Sequence, residues 1–125
     1  MISGVDFVQV PSRDLTAARE FYEHVLGLAP SLVYQRGDSP AVGAEFENGT
    51  VTLALIDCAR LGLQFSPNAT AIAFRVDDFE AARAHLEAKG VTFRDTIDSG
   101  ACLMAPFQDP DGNALMLHHR YAPRT

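Results

Sequence analysis

Few side chains in this chain can do chemistry, and their spacing limits what they can do. His118 and His119 are adjacent, so on a strand they point to opposite faces and cannot jointly chelate one ion. His118 is the candidate catalytic acid or base, or a donor that grips a ligand. The alternative is a histidine at a sheet rim, hydrogen-bonded to nearby backbone. Arg75 could fix an anionic or enol group with its planar fork of donors, or form a salt bridge to Glu45 or Glu47. Glu45 and Glu47 flank Phe46 and share a face. One of them, if desolvated, could move a proton, although such a pair is more often the wet side of an edge strand. Tyr34 and Tyr121 could stack on a flat ligand or cover a rim. Cys58 and Cys102 show no CxxC spacing and are too few for a disulfide framework, so they read as reduced thiols of a cytoplasmic protein. Cys102 has no basic neighbour in sequence to make it a reactive thiolate. There is no Ser-His-Asp set, phosphate loop or haem motif.

The elements that must position these groups come as a repeat. Asp14-Leu15-Thr16-Ala17-Ala18-Arg19 returns as Asp78-Phe79-Glu80-Ala81-Ala82-Arg83, offset by 64 residues. An alternating strand precedes each block, Phe7–Val10 and Ala71–Val76. A helix ended by glycine follows, about Leu15–Leu26 before Gly27 and about Phe79–Lys89 before Gly90. Asp14 is a plausible N-cap, and Asp77 with Glu80 resembles a capping box. Further strands are expected near Leu32–Arg36, Val42–Glu47 and Val51–Ile56, then near Val91–Arg94, Ala101–Pro106 and Ala114–His118. Asn48-Gly49 signals a tight hairpin, since both residues tolerate positive φ, and Asp109-Pro110-Asp111-Gly112-Asn113 a turn. The expected fold class is α+β: two βαβββ modules forming a curved, half-open mixed sheet around one cleft. Module one spans about 1–57, a linker about 58–68, and module two about 69–125, within a single domain.

Strand alternation sorts the faces. Val8, Val10, Val51, Leu53 and Leu55 belong beneath the first helix. Ile72, Phe74, Val76, Leu115 and Leu117 belong beneath the second. The opposite face then carries Phe7, Gln9, Thr52, Ala54, Ile56, Ala71, Ala73, Arg75, Ala114, Met116 and His118. A half-open sheet lined this way must hold a small-molecule ligand, a partner's side chains, or both.

Bulk properties exclude several classes. The net charge of −6 disfavours nucleic acid and anionic membranes, which need a basic patch. No apolar run is long enough to span a bilayer, and no basic segment followed by an apolar one marks a signal peptide.

The order of these motifs resembles the vicinal oxygen chelate superfamily, which includes glyoxalase I, extradiol dioxygenases and bleomycin-resistance proteins. The resemblance is carried by Val8-Gln9-Val10, Asp14-Leu15, Ala18-Arg19-Glu20-Phe21-Tyr22, Val25-Leu26-Gly27-Leu28, Ala73-Phe74-Arg75-Val76-Asp77 and the Asp109–Asn113 turn. It implies metal ligands, usually His, Glu or Gln, on the first and last strands of each module. Those positions fall on Phe7, Ala54, Ala71 and Met116, which lack the usual donors. The expectation is therefore a metal-free, cofactor-free homodimer that sequesters a flat, partly aromatic ligand. The rival is an enzyme of the same superfamily: either a metal-free isomerase, cyclase or lyase in which His118 or a glutamate moves a proton, or a metal-dependent lyase or dioxygenase with displaced ligands. A third possibility is an interaction subunit whose concave face is filled by another chain.

Overall fold

The computed structural model describes residues 1–123; positions 124–125, the last two of the expected second module, lie outside the described residues. The chain divides into two compact units, Met1–Asn68 and Ala69–Thr125. The first contains β1 (Phe7–Ser12), α1 (Leu15–Glu20) running into a π-helical turn (Phe21–Val25), β2 (Ala29–Tyr34), β3 (Gly43–Glu47) and β4 (Thr52–Asp57). The second contains β5 (Ile72–Arg75), α2 (Phe79–Ala88), β6 (Ile97–Asp98), β7 (Cys102–Gln108) and β8 (Ala114–Arg120). Each unit is βαβββ, and the fold is α+β with two open, mixed, four-stranded sheets ordered β1-β4-β3-β2 and β5-β8-β7-β6. The first and last strands of each unit run parallel, because the helix between them makes the crossover.

The repeat extends to individual atoms. Asp14 Oδ1 accepts from Ala17 N at 3.1 Å, and Asp78 Oδ1 accepts from Ala81 N at 3.0 Å. Each aspartate thus satisfies one of the N–H groups that a helix start leaves without a partner. The second cap is Asp78 and not the Asp77 of the expected capping box. Glu80 then falls one position short of the site from which it could reach back.

The first helix also differs from the continuous α-helix expected. After Glu20 it widens, with Leu26 N donating to Phe21 O at 3.0 Å, and it closes across Gly27 at φ +73°. The extra residue in the wider turn breaks the 3.6-residue stripe. Leu15, Ala18 and Tyr22 are buried, whereas Val25 and Leu26 are only half-buried.

Two connections depart from expectation. Asn48 and Gly49 do not form a two-residue hairpin: residues 48–51 link β3 to β4, and only Gly49 has positive φ. The Asn48 side chain bridges this loop, accepting from Thr50 N at 3.0 Å and donating to Val51 O at 2.7 Å. The expected strand at 91–94 is absent. Phe93 packs edge-on against Phe107 with centroids 5.2 Å apart, and the Arg83 guanidinium sits over its ring at 5.3 Å. Side-chain packing and a single backbone bond, Arg94 N to Pro106 O at 2.9 Å, hold this segment against β7, and the strand that pairs with β7 is the two-residue β6.

The core of the first unit lies on the helix side of its sheet, where Val10, Phe46, Leu53 and Leu55 are buried along with Leu15, Ala18 and Tyr22 from the helix. In the second unit Ala105, Phe107, Leu115 and Leu117 are buried, as are Phe79 and Leu86 of α2. Each large aliphatic side chain so buried contributes about 1.5–3 kcal/mol. That burial orients both sheets, each turning its other face away from its own helix. No helix among the described residues is long and apolar enough to cross a membrane.

Candidate functional site

In the first unit the ladder places Phe7 opposite Thr52, Gln9 opposite Ala54 and Glu45 opposite Ala54 from the other side. Alternation then puts Phe7, Gln9, Thr52, Ala54, Ile56, Gly43, Glu45 and Glu47 on one face, away from α1. Phe7 and Gln9 on the edge strand are exposed, whereas Ala54 and Ile56 in the sheet interior are closed off, at 2% and 8% exposure. Contact with a small molecule on this face would fall mainly to Phe7, Gln9 and the glutamates.

Glu45 and Glu47 sit in a polar network that single-strand alternation does not show. The β2 register skips a residue between Pro30 and Leu32, which brings Tyr34 opposite Gly43. A Cβ at Gly43 would lie 3.1 Å from Tyr34 Cδ2, so the missing side chain is what lets the ring lie there. The Tyr34 hydroxyl reaches Glu45 and donates to Oε2. Donation to that carboxylate, with smaller contributions from desolvation and the negative charge, raises the Tyr34 pKa above the ordinary tyrosine value. Glu47 accepts from Ser31 Oγ at 2.6 Å and Thr52 Oγ1 at 2.7 Å, and these bonds lower its pKa. Both glutamates are therefore held as hydrogen-bonded acceptors, which favours binding over proton transfer. The signal in sequence was Gly43 nine residues after Tyr34, but only the bulge in β2 makes the two meet.

In the second unit Ala73 lies opposite Met116 and Arg75 opposite His118. Across β8, Met116 faces Pro106 and His118 faces Met104. Ala73, Arg75, Ala114, Met116 and His118 thus share one face, with Ala71 half-buried just before β5. Met104, Pro106 and Arg120 belong to it as well; extending alternation through β7 and to the end of β8 would have found them. The histidine bonded to backbone is His119, whose Nδ1 lies 3.0 Å from Val76 O, and not His118. His118 is half-buried and Arg75 exposed, and neither side chain makes a hydrogen bond or ion pair among the described residues. Tyr121 donates to Asp98 Oδ1 at 2.7 Å, which raises the pKa of the phenol and, together with Gly100 N–H, lowers that of the carboxylate. Cys58 and Cys102 are free and buried.

The family description Glyoxalase/Bleomycin resistance protein/Dioxygenase superfamily matches residues 4–117. The chain belongs to this superfamily. Among solved structures it is similar to TnmS3, an antibiotic binding protein from Streptomyces sp. CB03234, at 26% identity and TM-score 0.78, covering 95% of this chain and 97% of that one. It is also similar to a superfamily member from Sphaerobacter thermophilus DSM 20745, at 22% identity and TM-score 0.80, covering 95% and 98%. Likeness to lactoylglutathione lyase from Agrobacterium tumefaciens, at 21% identity and TM-score 0.75 over 94% of each chain, shows the fold alone. No curated protein matches the chain by sequence.

The superfamily's metal can be tested against these residues. Phe7 is opposite Thr52, two residues before Ala54 on the same face, and Ala71 stands in the same diagonal relation to Met116. Phenyl and methyl groups offer no lone pair, and the Met116 thioether suits only soft ions. These residues do not fit a divalent ion held in the superfamily's usual manner. Among the described residues no three His, Cys, Asp or Glu side chains group where they could hold a metal ion.

Proposed function

We propose that this member of the superfamily binds a flat, partly aromatic small molecule without a metal and sequesters it. The observation that carries the reading is the set Phe7, Ala54, Ala71 and Met116 at the superfamily's ligand positions, which lacks the usual nitrogen and oxygen donors, on faces that still hold Gln9, Arg75 and His118. Each module offers the ligand an apolar surface with polar fixtures: Phe7 and Gln9 on the exposed edge, backed by Thr52 and the closed-off Ala54 and Ile56, and Ala71, Ala73 and Met116 with Arg75 and His118. Similarity to an antibiotic binding protein supports sequestration as the role. The same reading makes the protein a homodimer, because Ile2, Val5 and Phe7 leave an apolar edge exposed. It makes it cytoplasmic, given two free thiols.

The test joins mass spectrometry of whatever copurifies with calorimetric titration of anthraquinone-2-carboxamide and elemental analysis of untagged protein. Saturable binding without stoichiometric Zn, Ni, Mn or Fe is expected. Stoichiometric metal, or chemical conversion of the bound molecule, would overturn the reading.

One observation favours a second reading: half-buried His118 has no side-chain partner among the described residues. A metal-free isomerase, cyclase or lyase would use it to move a proton. A His118→Ala variant that still binds but loses turnover would select that alternative.

A further inference from the structure

The charge on the open face of the second sheet deepens this reading and rests on it. The chain as a whole is acidic, with 16 Asp and Glu against 10 Lys and Arg. On this one face the charges run the other way. Arg75 and His118 are partners across the parallel β5–β8 ladder, which sets their backbones about 4.8 Å apart. Arg120 follows His118 by two residues and so points to the same side of the sheet. No Asp or Glu occupies a strand position on that face of β5, β6, β7 or β8. Arg75, His118 and Arg120 make no side-chain hydrogen bond or ion pair among the described residues. The row beside Arg75 and His118 is Ala73, Met116 and Pro106, which is apolar and continuous across three strands.

We propose that this face recognises an anionic group, a carboxylate or phenolate, carried at one end of the flat ligand. The ring system lies along Ala73, Met116 and Pro106. The anion meets Arg75 in a charge-assisted, bidentate geometry, with His118 as a further donor and Arg120 at the open end. A neutral molecule of the same shape keeps the apolar contact and loses the charged one.

The experiment compares anthraquinone-2-carboxylate with anthraquinone-2-carboxamide by isothermal titration of the full chain, then repeats both with Arg75→Gln and Arg120→Gln. Both arginines are exposed, so the variants should fold, and far-UV circular dichroism checks this. The carboxylate should bind about tenfold tighter than the amide, as one charge-assisted contact implies, and Arg75→Gln should abolish that preference, bringing the two probes to equal affinity. Arg120→Gln should reduce the preference less. Equal affinities for the two probes would overturn the anion site while leaving small-molecule binding intact. A carboxylate preference untouched by both substitutions would also overturn it, because the anion would then sit elsewhere. Binding of neither probe would overturn both the anion site and the reading beneath it.

Discussion

Replacing Asp109 by alanine should cost this protein more than almost any other polar substitution. Asp109 is buried at the start of the turn between β7 and β8. Its Oδ1 accepts from Asp111 N and Asn113 N, both at 2.9 Å, and its Oδ2 accepts from Asn113 Nδ2 at 2.8 Å. Gly112, at φ +87°, turns the chain so that its own N–H meets Asp109 O at 3.0 Å. Asp109→Ala removes the acceptor for three donors in a site where Asn113 is 1% exposed. At roughly 1–1.5 kcal/mol for each donor deprived of its partner, the loss is about 3–5 kcal/mol. For a chain of this size that is a fall in Tm of about 10–20 °C. Asp109→Asn keeps Oδ1 for both backbone donors, and a turned-over Asn113 amide can accept from the new NH2, so its cost should be about 1–2 kcal/mol. Urea and thermal melts followed by circular dichroism measure both. The turn sets where β8 begins, and so where Met116 and His118 meet Ala73 and Arg75. Asp109→Asn should therefore retain ligand affinity. An alanine variant losing less than about 1 kcal/mol, or an asparagine variant as damaged as alanine, would refute the network's role.

Gly43→Ala should be disruptive despite its size. The new Cβ would lie 2.9 Å from Leu55 O, a backbone atom that cannot swing away. A loss of about 1–3 kcal/mol in urea melts is expected, with the Tyr34 phenol titrating closer to its ordinary value as the ring is displaced; a variant as stable as the parent would refute the close approach. Leu55→Ala, at a fully buried site, should cost about 2–5 kcal/mol by the same assay. The shifted groups set the pH dependence. Glu47 and Asp98 are lowered, so their contribution is present above the usual carboxylate range and lost as pH falls through their folded values. Tyr34 and Tyr121 are raised, so theirs is present below the usual tyrosine value and lost as pH rises through the folded ones. Thr52→Val should move the Glu47 titration, followed by carboxyl NMR, back upward; an unmoved titration would discard the Thr52 bond. Zinc, nickel or manganese at a hundred times a true Kd would stabilise the fold by about 2.7 kcal/mol, and no such saturable rise is expected in thermal melts.

Much of the architecture was legible because two periods do most of the sorting. Alternation separates Val8 and Val10 from Phe7 and Gln9, and Leu115 and Leu117 from Met116 and His118, since a strand must show its helix one apolar side. The repeated Asp14 and Asp78 blocks mark the helix starts, because a cap is a local device whose partners lie within a turn. Features that depend on contacts distant in sequence were not legible. The π-helical turn after Glu20 has no periodic signature. Phe93 reads as part of a strand until Phe107 and Arg83 are seen to claim its ring. Tyr34 meets Glu45 only because β2 carries an irregularity at Pro30–Leu32, which no alternation rule foresees. The face with Arg75 and His118 could be read from parity, and Met104 and Pro106 lay within reach of the same rule on the expected strand, whereas Arg120 required β8 to run on past its expected end.

Register also decides how much weight the missing ligands can bear. The best rescue of a metal site slides each strand by two residues, which keeps every side chain on its face and offers Gln9 in the first module and His118 in the second. In the ladders Gln9 stands between neighbours that include Ala54, and the positions two residues either side of it on β1 are Phe7 and Pro11. The slide therefore gains one amide oxygen, a weak ligand, and no second donor from β4 beyond Thr52. His118 gains still less, because its partner across the ladder is Arg75. A guanidinium beside this imidazole repels a divalent cation and attracts an anion. The feature that spoils the rescue of the metal is the same one that defines the anion site. The same electrostatics of Arg75 beside His118 thus count against a cation held on the second sheet and in favour of a negative charge carried by the ligand itself.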